Sequence, residues 1–220
     1  MVRIPGGEFD DSGYRRASTH HVIAAFDLDK TEVTMGEYRR CVQAGECKRP
    51  FRYPRPLDWW DSEVAEDRPV IGVSFRDAES YCAWVAKRLP TEWEWEWAAR
   101  GREEGREYPW GSETPSCDRA VMYRAIPRGD GERACGAIGP WPVGSKGAGD
   151  SRDGVKDLAG NVAEWTSSRG RREGEMEGRV IRGGDWAFHQ PVLLSNSAWI
   201  TLQDEKQGWH GADVGFRCAK

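Results

Sequence analysis

Lys87-Arg88-Leu89-Pro90-Thr91-Glu92-Trp93-Glu94-Trp95-Glu96-Trp97 is the stretch on which the fold turns. Strict alternation of Trp and Glu over 92–97 is the pattern of a half-buried strand. Against that stand three local signals. Thr91 with Glu94 forms a capping box, in which the hydroxyl accepts from the third helical N–H and the carboxylate reaches back. Pro90 cannot continue an earlier helix and so sits well before a cap. Ala98-Ala99-Arg100 prolongs a helical run that Gly101 can stop. The segment is therefore expected to be a helix.

Two more helices announce themselves in the same way toward the N-terminus. Thr34 with Glu37 caps a run carrying Tyr38, Cys41 and Val42 at helical spacing, ended by Gly45. Ser74 with Asp77 opens another, with Phe75, Ala78, Cys82 and Val85 as its apolar stripe. Beyond residue 101 the pattern breaks up. Gly, Pro, Ser and Asp punctuate short segments, and strands are expected only at 179–182 and 214–218. The charged run 169–178 reads as a mobile surface loop.

Composition sets limits around this core. The chain has 220 residues, 38% hydrophobic and 31% charged, which fits one sizeable soluble globular domain spanning 1–220 with no internal repeat or linker. No apolar run of about eighteen residues exists to span a membrane. Net charge is −4 with scattered Lys and Arg, which argues against a nucleic-acid partner. Twelve tryptophans and 26 glycines point to a loop-rich fold pinned by aromatic anchors, most of them core. The opening Met1-Val2-Arg3-Ile4-Pro5-Gly6-Gly7-Glu8-Phe9 has no basic region followed by an apolar one, so no signal peptide is read in it. Six cysteines occur without a CxxC pair, which disfavours zinc and thioredoxin motifs. Their even number favours disulfides and an exported protein, of which this chain would be a piece; six reduced thiols in a cytosolic protein is the competing reading.

The order of motifs resembles the formylglycine-generating-enzyme (sulfatase-modifying-factor) family. Val2 to Phe9 is similar to its opening strand, and Lys30-Thr31-Glu32-Val33-Thr34 to the entry of its first helix. Pro69 to Ser74, Ala78 to Trp84 and the Lys87–Glu96 stretch match its next blocks. Tyr108-Pro109-Trp110-Gly111, Asp157-Leu158-Ala159-Gly160-Asn161-Val162-Ala163-Glu164-Trp165, Arg182-Gly183-Gly184-Asp185-Trp186 and Gly215-Phe216-Arg217-Cys218 follow in order. The resemblance implies an irregular, loop-rich α+β fold of C-type-lectin type.

It also implies which chemistry is missing. Active members oxidise a substrate cysteine with oxygen and copper held by two cysteines after the Arg-Gly-Gly motif. Those positions here are Phe188 and Leu193, which offer no thiolate to copper(I), so copper is not expected. His189 matches a family histidine but cannot replace two thiolates, and reads as a surface or pocket side chain. The resemblance implies a Cys82–Cys218 bridge, closing roughly 135 residues and worth on the order of 5 kcal/mol in the chain-entropy model. A second family bridge falls on Ala99 and Ala198, where both halves are lost. Proximity alone then pairs Cys41 with Cys47 and Cys117 with Cys135.

The 157–164 turn is where the resemblance implies a structural calcium, through the Asp157 and Glu164 side chains and the Gly160 and Val162 carbonyls. Two carboxylates, carbonyls and waters satisfy calcium's relaxed oxygen coordination. A Gly-Asn turn braced by ordinary hydrogen bonds, with Trp165 beneath it, is the bland alternative. His20 and His21 would face opposite sides of a strand and could not share an ion. Ser195, Ser197 and His189 lack the acid and the elbow of a hydrolase. Acidic pairs such as Glu103-Glu104 read as solvated surface.

The family builds its substrate site from 185–213. Trp186, Phe188, His189, Trp199, Trp209 and His210 are the candidate ligand-binding residues there, with core the stronger reading for Trp186 and Trp199. Three functions follow. The first is a non-catalytic module binding an unidentified protein or small molecule, similar to variable proteins of diversity-generating retroelements. The second is a surviving metal-dependent oxidase. The third is a structural or regulatory domain of a larger exported protein.

Overall fold

The structure is a computed structural model that describes residues 1–11, 19–54, 56–61, 65–124, 131–170, 177–187, 191–202 and 210–220. Helices α1 (Met35–Gln43), α2 (Phe75–Trp84) and α3 (Glu92–Ala99) all begin at the expected boxes. In each, the cap hydroxyl accepts from the third residue's N–H while that residue's carboxylate accepts from the cap's own N–H. Gly45 and Gly101 take the left-handed conformation that lets the chain leave α1 and α3.

The alternation in α3 has a physical meaning. Trp95 and Trp97 are buried, and so are Glu92 and Glu96, because this helix is enclosed on nearly every side. Glu96 is tolerated inside because Arg182, itself buried, donates to it.

Four short strands open the chain: β1 (Val2–Ile4), β2 (Gly7–Asp10), β3 (His20–Ile23) and β4 (Phe26–Leu28). They form two antiparallel pairs, β1 with β4 and β2 with β3. The central sheet is built from β5 (Ala163–Gly170), β6 (Gly178–Arg182), β7 (Trp199–Leu202) and β8 (Val214–Gly215), in the order β7-β6-β5-β8. The β5–β8 pairing is parallel and the others antiparallel. With three α-helices and small sheets among the described residues, joined by long structured loops, the fold is the irregular α+β type expected.

Two segments differ from the sequence reading. Residues 163–170 and 199–202 are strands, although they read as loop. Ala163 to Thr166 are buried on both faces of the sheet, so the alternation that marks a strand is absent. The charged run also divides: Arg169 and Gly170 pair with Arg179 and Gly178 in the ladder. Of that run, 171–176 lie outside the described residues. At the other end, the strand expected over 214–218 stops at Gly215, and Ala219 makes only isolated bridges to Leu28 and Arg88.

Tryptophans pin the loops as composition indicated. The Trp97 and Trp165 rings fill the core while their indole N–H groups donate to distant segments, Trp97 to Pro5 O (2.8 Å) and Trp165 to Val73 O (3.1 Å). Gly7 permits one such contact, since a Cβ there would stand 2.5 Å from the Trp97 ring. The cysteines pair as Cys41–Cys47, Cys82–Cys218 and Cys117–Cys135, with sequence separations of 6, 136 and 18. Cys82–Cys218 lies inside the main core beside Tyr38, Tyr81 and Phe216.

Candidate functional site

The turn at 157–164 is a charged knot in an apolar interior. Asp157, Gly160 and Asn161 all have positive φ, which winds the chain tightly enough to aim several polar groups inward. Asn161 braces the turn, accepting from Trp141 N (2.8 Å) and donating to Glu32 Oε1 (2.9 Å). Asp157 accepts from the Gly144 N–H. Glu164 is fully buried and both its oxygens accept from Arg217 at 2.7 Å, with Trp95 Nε1 donating at 2.9 Å. Arg217 also donates to the carbonyls of Asp29 and Lys156.

The charges here do not balance. Glu32, Asp157 and Glu164 supply three carboxylates around one guanidinium. Burial, with the Asp157 charge next, pushes the Glu32 carboxyl well above its usual range. Burial likewise raises Asp157, against the Gly144 N–H and Arg217, which favour its charged form. Burial alone would lower Arg217, but the surrounding carboxylates outweigh it and raise it. Glu32 Oε2 is buried without a hydrogen-bond partner.

An orphaned acid oxygen and an excess of buried negative charge fit a divalent cation with oxygen ligands. Among the described residues no three His, Cys, Asp or Glu side chains are grouped to hold a metal by themselves. A cation would therefore rely on carbonyls beside Asp157, and would share Glu164 with Arg217. Sequence reasoning singled out Asp157 and Glu164 but missed Glu32 and Arg217, which reach the turn only through tertiary contacts.

The 185–214 segment divides between core and surface. Trp186 and Trp199 are 7% and 6% exposed, so they have little area to present to a ligand. Trp186 Nε1 donates to Ala212 O (3.1 Å), tying the two ends of the segment together. Leu193 is buried, and with Gly184, Ala198 and Trp199 it lines a small pocket, with room for about one water, that has Arg182 at its wall. Phe188, His189 and Trp209 lie outside the described residues.

His210 is at the surface end of this segment. It stacks on Phe51 with centroids 4.0 Å apart, and lies 3.5 Å from the Tyr53 hydroxyl. Burial raises Asp213, and burial together with the Asp213 charge pushes the Tyr53 phenol up to about 12. Phe51 and Tyr53 had no place in the sequence-based site, although Phe-Arg-Tyr between prolines is an unusual surface sequence.

The remaining histidines stand apart from both places. His20 meets Asp10 (2.9 Å) at the surface, while His21 stacks on Trp93 (3.8 Å) on the other face of β3.

The fold, the Cys82–Cys218 bridge and the Arg-Gly-Gly and Gly-Asn turns define a formylglycine-generating-type domain. Residues 1–220 match the sulfatase-modifying factor enzyme 1-like domain, and the chain belongs to that family. It is 38% identical over 267 residues to the inactive C-alpha-formylglycine-generating enzyme 2 of Mus musculus, covering 100% of this chain and 85% of that protein. The protein of the same name from Bos taurus is 38% identical over 152 residues, 69% of this chain, and the matched part spans 50% of its length. Treponema denticola variable protein 1 shares the fold, with a TM-score of 0.71 at 21% identity, covering 100% of this chain and 94% of that one.

Proposed function

We propose that this domain is a non-catalytic binding module, with its binding face in 185–214. The observation that carries the reading is Leu193, a buried hydrocarbon where the family resemblance expects a copper thiolate. Phe188 replaces the other. Neither side chain has a lone pair to offer a metal. The relatives named inactive C-alpha-formylglycine-generating enzyme 2, at 38% identity, support the same reading. Trp186 and Trp199 are committed to the core, so His210 remains as a candidate, with Phe188, His189 and Trp209 proposed beside it from the sequence and lying outside the described residues. If the segment is diversified as in retroelement variable proteins, sibling genes differ mainly between residues 185 and 214; uniform siblings refute that version.

Oxygen consumption with copper(I) and a cysteine-containing peptide tests the central claim. No turnover above free copper is the expected result, and turnover above it overturns the reading in favour of an oxidase.

The scaffold carries two further proposals. A structural calcium would be held by Asp157, the Gly160 and Val162 carbonyls and Glu164, supported by the orphaned Glu32 oxygen. Its contribution is charge compensation in the interior. Export to an oxidising compartment is supported by the three bridges. No described helix is long and apolar enough to cross a membrane.

A further inference from the structure

Cys117–Cys135 differs from the other two bridges in where it sits and in the backbone beside it. Cys82 and Cys218 are both fully buried, and so is Cys41 in α1. Cys117 and Cys135 are each only half-buried. Ala134 and Cys135 have φ of 46° and 55°, two consecutive residues with side chains in the left-handed region. A Cβ makes that region unfavourable at each position. Where the Cys41–Cys47 loop needs the same conformation, Gly45 supplies it without a Cβ to clash.

This strained pair is tied to the 185–214 segment by two routes. Ala134, fully buried, donates from its N–H to Trp186 O (2.8 Å), while its carbonyl accepts from Trp141 Nε1 (3.0 Å). Cys117 and Cys135 also pack, with Trp110, against the buried cluster that holds Met122 and Leu194. Cys135 N donates to Met122 O (2.9 Å) in the same place. A hydrogen bond to Trp186 and a packing contact around Leu194 therefore join the bridge to the segment.

We propose that Cys117–Cys135 is a thiol–disulfide exchange site, opened by a reduced dithiol, whose state controls how firmly the 185–214 segment is held. Strained and accessible bridges are the ones that exchange most readily. One thiolate of the dithiol attacks a bridge sulfur and displaces the other as a thiolate. The dithiol's second sulfur then breaks the mixed disulfide. Two electrons pass to the bridge, two protons end on Cys117 and Cys135, and the dithiol leaves as its own disulfide. With the sulfurs parted, Ala134 and Cys135 can leave the left-handed region. That movement withdraws the Ala134 N–H from Trp186 and loosens the packing around Leu194. Control of ligand binding rests on the face proposed above, but the exchange and its effect on the segment do not, and the experiment reads only these.

The full, oxidised chain is treated with dithiothreitol under native conditions, trapped with N-ethylmaleimide and mapped by peptide mass spectrometry. Cys117 and Cys135 are expected to be labelled at least about tenfold faster than the other four cysteines. Hydrogen exchange of the selectively reduced protein should be severalfold faster in peptides covering 131–137 and 185–196, and unchanged in α2. Ala134→Gly accepts its φ without a Cβ, and is expected to raise severalfold the dithiothreitol needed for half-reduction of this bridge. Cys117→Ser combined with Cys135→Ser should reproduce the exchange of the reduced protein with no reductant present. The labelling order in the unaltered chain keeps the test valid if that variant fails to fold. Labelling of another pair first, or of all six cysteines together, overturns the exchange site. Selective reduction that leaves exchange at 185–196 unchanged overturns the coupling to the segment.

Discussion

Replacing Arg217 with methionine is expected to destabilise the protein more than replacing Glu164 with glutamine, although the two side chains form one ion pair. Breaking a buried pair from either side commonly costs about 3–5 kcal/mol, because a charge is left alone in the interior. Here the two sides are unequal. Arg217 is the buried cation that interacts with all of Glu32, Asp157 and Glu164, while Lys156 acts on Asp157 alone, so losing Arg217 leaves the acids largely uncompensated. It also removes donors to the carbonyls of Asp29 and Lys156, each worth about 1 kcal/mol. A cost of about 5 kcal/mol or more follows, which is the entire stability of many domains. Glu164→Gln removes one negative charge from a cluster with too many. Arg217 keeps two acids nearby, so the cost should be about 2 kcal/mol smaller. Urea unfolding of the oxidised protein at neutral pH in EDTA, followed by tryptophan fluorescence, measures both. If Glu164→Gln destabilises as much as Arg217→Met, the charge account of this knot is wrong. Adding Asp157→Asn to Arg217→Met should recover part of the loss, and failure to do so refutes it independently.

Three further outcomes are expected. Glu32→Gln should raise the melting temperature at neutral pH in EDTA. The wild-type carboxyl has a raised pKa, so its favourable contribution holds below the unfolded pKa and is lost as pH rises; if calcium binds the turn, calcium should stabilise wild type more than this variant. Burial works against the Glu94 charge, but Arg88 and the Thr91 cap outweigh it and hold the pKa below the usual range. Its contribution is therefore present above the unfolded pKa and lost as pH falls through the folded one, so Glu94→Gln should flatten the acid limb of a stability–pH profile. The bridges should differ by loop length: removing Cys82–Cys218 is expected to cost about 5 kcal/mol and removing Cys41–Cys47 about 2 kcal/mol, read from urea midpoints of the paired alanine variants.

Helix starts were legible because a capping box is local: Thr34, Ser74 and Thr91 each find their partner three residues on. Strand β5 was not, because its first half is buried on both faces and has no alternation to read, and β7 is only four residues long, too short to show a pattern. The Glu32–Asn161 contact spans 129 residues and the Arg217–Glu164 pair 53, and no local pattern encodes such distances. The lost family bridge is instructive for the same reason. Ala99 and Ala198 are visibly not cysteines, but the sequence does not reveal what stands in their place. The structure shows Asn196, buried, donating to the carbonyls of Ala99 and Arg106 at 3.0 Å each. It joins the same two segments by hydrogen bonds. In the 185–214 segment, the sequence alone does not mark Trp186 as internal; its burial and its bond to the Ala212 carbonyl do.

The wide spacing of Cys82 and Cys218 has a consequence in time. At roughly 5–20 residues per second, synthesis leaves Cys82 waiting on the order of ten seconds for its partner. Four other thiols emerge before Cys218 does. The separations of 6 and 18 in the remaining bridges let those four close on one another through short loops. Cys82 is then the last open thiol when residues 214–220 arrive. Those residues dock against β4 and the end of α2, where Asp27 exchanges two hydrogen bonds with Lys220 and Arg88 two with Ala219. The order in which the sulfurs appear favours that pairing, and the Cys82–Cys218 bridge ties α2 to the segment that follows β8.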